Sequence, residues 1–430
     1  MPSDGWVPIL EGATAERARE AVDQVARCIA ALRPGTHGHG ASAAGGDAGF
    51  AILFAELAQS GHAGAADHAV DYLDAAVEAV SASAMTPSLF AGFLSVAWTM
   101  TLLGDSLLQP GDEPAGGEVD AVLLEHLRTT PWQGEYDLIS GLAGFGVYAL
   151  SRYPSPFSEV ALELIVDRLA ELAQGGAGGY AWFTTPERLP QHQREQNPHG
   201  LYDVGLAHGV PGVVAFLGQV VAAGVGGRRA GELLDGGLRW LDRQRLPAGS
   251  PSAFPAQIGA APPSWCRLAW CYGDAGVAAA MRLASAGAPG AGEAAVQLLL
   301  DAAARPPDSC GVRDAGLCHG SAGLALIFDR FYQWTGEERF RAAAAGWFED
   351  ALDRRDPADA MGGFLASRYE VLEPDPGLLN GSAGVALALL AGLEAREPAW
   401  DQLLMLRPAR TGVRRRPVPH TRNAGAAHRG

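Results

Sequence analysis

The chain has 430 residues, nearly half of them hydrophobic and many of them Ala or Gly, with a formal net charge of −16. Residues 405–430 carry seven arginines and no acids, so residues 1–404 hold 25 basic against 48 acidic side chains, a net of −23. Such a body repels phosphate and excludes nucleic acid as a partner, and the complete absence of lysine excludes Schiff-base and P-loop chemistry.

The first residues, Met1-Pro-Ser-Asp-Gly-Trp6, lack the basic and apolar regions of a secretory signal. From there two kinds of segment alternate. Residues 14–33 are apolar on one face and charged on the other, the pattern of an amphipathic outer helix. Gly46-Asp-Ala-Gly49 then opens an apolar run. Residues 65–83 repeat the amphipathic type and lead to a degenerate copy, Leu89-Phe-Ala-Gly92, read as keeping only the second Gly. Residues 118–129 precede Gly141-Leu-Ala-Gly144, and 158–174 precede Gly209-Val-Pro-Gly212. Residues 231–245 precede Gly273-Asp-Ala-Gly276, 293–305 precede Gly320-Ser-Ala-Gly323, and 337–354 precede Gly381-Ser-Ala-Gly384. Seven amphipathic segments thus alternate with seven apolar ones, the signature of a repeat architecture. The apolar helices carry few charges and cannot face water, so a closed, all-α, double-layered α/α toroid is expected over an open solenoid. Residues 210–227 contain Pro211, Gln219 and several Gly and read as a buried inner helix, so no membrane insertion is expected.

Three segments break the rhythm: 175–207, 246–268 and 355–379. They are expected as loops at the mouth of the ring, within a single toroid domain covering residues 1–404. Residues 405–430 read as a basic, disordered tail. Five dispersed cysteines point to a reducing, cytoplasmic setting in which clustered thiols serve metals or catalysis.

The chemistry lies just before the glycines. Cys271 and Cys318 each stand two residues before the first Gly of their copies, and His208 and His319 stand one before it. If successive copies superpose around a ring, Cys271, Cys318 and His319 converge into a three-ligand zinc site, leaving a fourth position for substrate. The pair His37 and His39 is expected in solvent and not ligating. Cys28, Cys266 and Cys310 match no ligand position.

Trp270-Cys-Tyr-Gly-Asp-Ala-Gly276, Leu317-Cys-His-Gly-Ser-Ala-Gly323 and Gly205-Leu-Ala-His-Gly-Val-Pro-Gly212 resemble the signature blocks of the lanthionine synthetase C-like (LanC) cyclases. The resemblance runs over all seven copies, residues 14–396. It implies an α/α toroid with Zn²⁺ on Cys271, Cys318 and His319. It also implies His208 as acid/base, with Asp137, Arg267 and Tyr272 in the active site. A packing ring for Tyr272, an ion pair for Arg267 and a helix N-cap for Asp137 are the alternatives. The implied reaction adds peptide Cys thiolates to dehydroalanine or dehydrobutyrine, giving lanthionine and methyllanthionine rings. With no kinase or lyase segment before the toroid, the resemblance implies a dehydrated precursor peptide from a separate dehydratase, within a biosynthetic or export complex. The competing expectations are addition of glutathione or another small thiol, a prenyltransferase-like toroid, and a non-catalytic peptide scaffold. The acidic body disfavours the prenyltransferase, whose diphosphate substrate needs a basic pocket.

Overall fold

The computed structural model describes residues 5–107, 116–368 and 371–409. Among them the helices fall into seven outer–inner pairs. In chain order these are α1 (Gly12–Ala30) with α2 (Asp47–Gln59), α3 (Ala65–Ala82) with α4 (Phe93–Leu107), and α5 (Gly117–Leu127) with α6 (Leu142–Ser151). Next, α7 (Pro156–Leu172) pairs with α9 (Val210–Ala222) across the short α8 (Gln191–Gln196). The last three pairs are α10 (Gly227–Asp242) with α11 (Asp274–Ala284), α12 (Gly290–Ala303) with α13 (Ser321–Thr335), and α14 (Glu338–Asp353) with α15 (Ser382–Leu393).

The two helix types bury different amounts of themselves. The outer α1 buries Ala15, Ala18, Ala21, Val22, Val25 and Ile29, one stripe at helical spacing. The inner α15 buries every residue from Ser382 to Gly392. Helices α2, α4, α6, α9, α11, α13 and α15 each pack on the next, and α15 packs back on α2. The ring is therefore closed, as the apolar inner layer requires. An amino-terminal strap fastens the closure: the Ile9 and Leu10 amides donate to the Gly392 carbonyl at 2.9 Å, and the Trp6 indole donates to Ala391.

At one end of the ring the inner-helix turns are joined by a belt of backbone hydrogen bonds. Ala207 N–H donates to Cys271 O, Cys271 to Cys318, Cys318 to Leu379, Leu379 to Ala44, and Ala44 to Phe90, over 2.9–3.3 Å. All of these residues stand two before the glycine that caps an inner helix. Leu138 N–H to Ala207 O (3.1 Å) and Ser88 Oγ to Ile139 O (2.8 Å) close the circle.

The belt corrects the register of the second copy. Gly92 is the first glycine, not the second. It precedes α4 as Gly46 precedes α2, its N–H donates to Ser88 four residues back, and a Cβ there would strike the Thr86 carbonyl six residues back. Ser95 takes the second place, its hydroxyl donating to Gly92 O and accepting from Ala43 N–H.

The expected loops carry small sheets. Strands β1 (Ala173–Gly176), β2 (Gly179–Thr184), β3 (Leu201–Asp203) and β4 (Gln257–Ile258) form one antiparallel sheet in that order, uniting the first two segments. Strands β5 (Leu365–Arg368) and β6 (Val371–Pro374) make a hairpin in the third. The core also extends past Leu404. Met405, Leu406 and Ala409 are buried, Trp270 Nε1 donates to Leu404 O (2.8 Å), and Ala409 N–H donates to Gln219 Oε1 (2.8 Å). The remainder of the expected tail, 410–430, lies outside the described residues. Among the described residues no helix is long and apolar enough to cross a membrane.

In the six copies other than the second, the second glycine lets an inner helix press on the belt. A Cβ on Gly323 would collide with the Leu317 carbonyl, whereas one on Gly346, exposed in α14, would meet nothing. Gly323→Ala should destabilise the fold by about 1–3 kcal/mol or more. Gly346→Ala should stabilise it by roughly 0.5–1 kcal/mol. Urea unfolding of the two variants measures both signs.

Candidate metal centre

Copies five and six are belt neighbours, so Cys271 and Cys318 are tied together through their backbones by the 3.1 Å bond from Cys271 N–H to Cys318 O. The ligand atoms of Cys271, Cys318 and His319 all lie within 4.8 Å of one another, and this is the one such His/Cys/Asp/Glu group among the described residues. Tetrahedral bonds of about 2.3 Å to sulfur and about 2.0 Å to nitrogen set donor atoms roughly 3.5–3.8 Å apart. The group fits such an ion with little movement. Two thiolates and a neutral imidazole would also cancel a dication's charge, which suits a buried site.

The two thiols shift each other in opposite directions. Cys318 hydrogen-bonds to Cys271 and holds the Cys271 thiol well below the usual range, against the cost of burial and with help from His319 and Arg267. The same bond to the Cys271 sulfur, with burial, pushes Cys318 well above that range. His319 is anchored from behind: Nε2 lies 3.3 Å from Asp314 Oδ2 and 3.4 Å from the Ser367 carbonyl on β5. Asp314 Oδ2 also accepts from Ser367 N–H at 2.8 Å. The third irregular segment thus touches the cluster.

His208, one belt position on, is half-exposed. Its Nδ1 lies 2.5 Å from Asp137 Oδ2, while Asp137 Oδ1 accepts from Ser140 N–H at 2.8 Å. One carboxylate oxygen therefore locks the turn before α6 and the other holds the imidazole. The helix N-cap itself is Gly141. Burial opposes charging of His208, but the hydrogen bond and charge of Asp137, with Asp203 and Cys271, lift its pKa to about 9. Tyr272 lies beside it, ring centroids 6.4 Å apart, and donates its hydroxyl to Asp203 Oδ2 at 2.8 Å. Arg267 has no carboxylate partner among the described residues, and its charge reaches both thiols. A cleft of about 360 Å³ opens here, lined by Arg267, Tyr272 and Cys266 together with His192, Gln196 and Pro262.

All seven sequence-predicted residues therefore stand at one end of the ring. Cys28, Cys266 and Cys310 are free thiols outside the cluster. His37 departs from its expected solvent exposure: its side chain is 2% exposed and pairs with Asp47 Oδ1 at 2.6 Å, while His39 is exposed. Sequence reasoning missed Asp203 and Asp314. Their signal is a longer repeat, Asp203-Val-Gly-Leu, Asp314-Ala-Gly-Leu and Asp375-Pro-Gly-Leu, each starting six residues before the capping glycine. Arg267 occupies that slot in copy five.

The family model described as lanthionine synthetase C-like protein matches residues 39–405. A solved structure named nisin cyclase matches with a TM-score of 0.70 at 20% identity, covering 91% of this chain and 97% of its own, and so shares the toroid fold. No curated protein sequence matches.

The His208–Asp137 pair sets a pH dependence. His208 titrates near 9 in the fold and near 6.5 when unfolded, so the pair's stabilisation is full below about 6.5 and is lost as pH rises through about 9. The Tm gap between wild type and Asp137→Asn should be largest below pH 6.5 and close above pH 9; thermal melts across that range measure it.

Proposed function

The chain belongs to the lanthionine synthetase C-like family, and from that premise we propose that it is a zinc-dependent cyclase that forms thioether rings in a dehydrated peptide. The observation carrying this reading is the convergence of Cys271, Cys318 and His319 within 4.8 Å. Asp314 and the Ser367 carbonyl engage Nε2 of His319, which leaves Nδ1 as its ligand nitrogen. The ion, when bound, lowers the pKa of a coordinated substrate thiol, which in water is near 8.5.

The chain's own groups supply the rest. The thiolate sulfur bonds to the β-carbon of a dehydroalanine or dehydrobutyrine, and the π pair moves to the α-carbon and its carbonyl as an enolate. Arg267, without a carboxylate partner among the described residues, is the cation offered to that developing charge. Asp137 holds Nδ1 of His208, so Nε2 is the atom that delivers a proton to the α-carbon. Raised to about 9, His208 carries that proton at neutral pH. The thiol's proton passes to water and half-exposed His208 regains its own from water, so that in sum one S–C and one C–H bond replace one S–H bond and one C=C π bond. This reading places the step after a dehydration that installs the alkene in the peptide.

The test is thiol alkylation of a dehydrated, cysteine-containing peptide followed by mass spectrometry, which counts thiols lost to cyclisation. Wild type should consume them, and His208→Asn should be slower by roughly 10²–10⁴-fold. Equal rates would eliminate the acid role, and no thiol loss with wild type would eliminate the cyclase reading.

A further inference from the structure

Asp203 ends β3 and is 6% exposed. Its Oδ1 accepts from Gly205 N–H at 2.8 Å. The same turn recurs where Asp314 accepts from Gly316 (3.0 Å) and Asp375 from Gly377 (2.7 Å), so this oxygen is structural in all three copies. The second oxygen differs from copy to copy. In Asp314 it serves Ser367 N–H and His319, in Asp375 it serves Arg368, and in Asp203 it takes the Tyr272 hydroxyl at 2.8 Å. Burial raises Asp203 to about 6, with His208, Gly205 N–H and Tyr272 restraining the rise, so it is ionised at neutral pH.

An ionised carboxylate only accepts. Tyr272 must therefore spend its proton on Asp203, and its oxygen lone pairs are what remain for the cleft that it lines with Arg267. We propose that Asp203 is a positioning residue that fixes the Tyr272 hydroxyl as an acceptor toward the reacting groups. The inference rests on the thioether-forming reading, to which it adds a residue and a direction. Tyr272 gives no proton to the substrate; it orients a donor there.

Asp203→Asn tests this. The amide oxygen keeps the Gly205 turn, and the amide nitrogen now faces Tyr272, which must accept and turn its proton into the cleft. On the cyclisation assay kcat should fall roughly tenfold or more with KM within about twofold, the pattern of a group acting after binding. Asp203→Asn combined with Tyr272→Phe should be no slower than the slower single variant, because the two act as one unit. The same cycle run on Tm should be non-additive. Wild-type kcat in Asp203→Asn, or losses that multiply, would overturn the assignment, as would a coupled Tm with unchanged kcat. Should Asp203→Asn not fold, Tyr272→Phe decides: kcat must fall, and an unchanged kcat overturns the proposal. If wild type itself does not cyclise, the functional reading fails instead, and additive Tm losses then overturn the Asp203 assignment independently.

Discussion

The belt of hydrogen bonds between inner-helix turns is the constraint on which the rest of the molecule depends. The turns of Ala207, Cys271, Cys318, Leu379 and Ala44 each lend one carbonyl and one amide to their neighbours, and the Phe90 turn lends its carbonyl and the Ser88 hydroxyl. A typical bond of this kind adds only about 0.5–1.5 kcal/mol net, but leaving such a group buried and unpaired costs about 1–3 kcal/mol. A ring that slipped by one residue would orphan several at once. Register is therefore enforced around the circle, and with it the positions of the side chains flanking each belt residue. Cys271 and Cys318 meet because they occupy the same slot in adjacent turns.

The same frame organises charge. Around the belt, polar groups occupy fixed slots: the aspartates six before the capping glycine, and His208, Tyr272, His319 and Asn380 one before it. Each aspartate spends one oxygen on its own turn and one on a neighbour, so the buried carboxylates of Asp203 and Asp314 are satisfied with no arginine partner among the described residues. Copy five reverses the sign of the slot with Arg267. A cation thus stands between two anionic turns and faces both thiols, where charge that develops in a reaction has a counter-charge already in place.

The alternation of stripe-faced and fully apolar helices was legible in the sequence because burial on one side or on all sides leaves different periodicities, as α1 and α15 do. The convergence of Cys271, Cys318 and His319 was legible because the repeat fixes their slots. The register of copy two was not: Ser95 in place of its second glycine hides the motif, and only the contact of Gly92 with the Thr86 carbonyl reveals it. Strands β1 to β6 are two to six residues long and lie in Gly- and Pro-rich sequence, too short for an alternating pattern to declare itself. Asp203 and Asp314 look like ordinary turn formers until the second oxygen of each is followed to Tyr272 and to His319. His37 reads as a loop histidine because its partner Asp47 sits in the first turn of α2.

The central claim is that belt register builds a metal site from two thiols and an imidazole. Its most direct test is elemental analysis of protein purified without chelator, comparing wild type with Cys271→Ala and Cys318→Ala. The account predicts about one zinc per chain in wild type and a sharp loss in both variants. A metal-free wild type, or variants that keep their zinc, would contradict it.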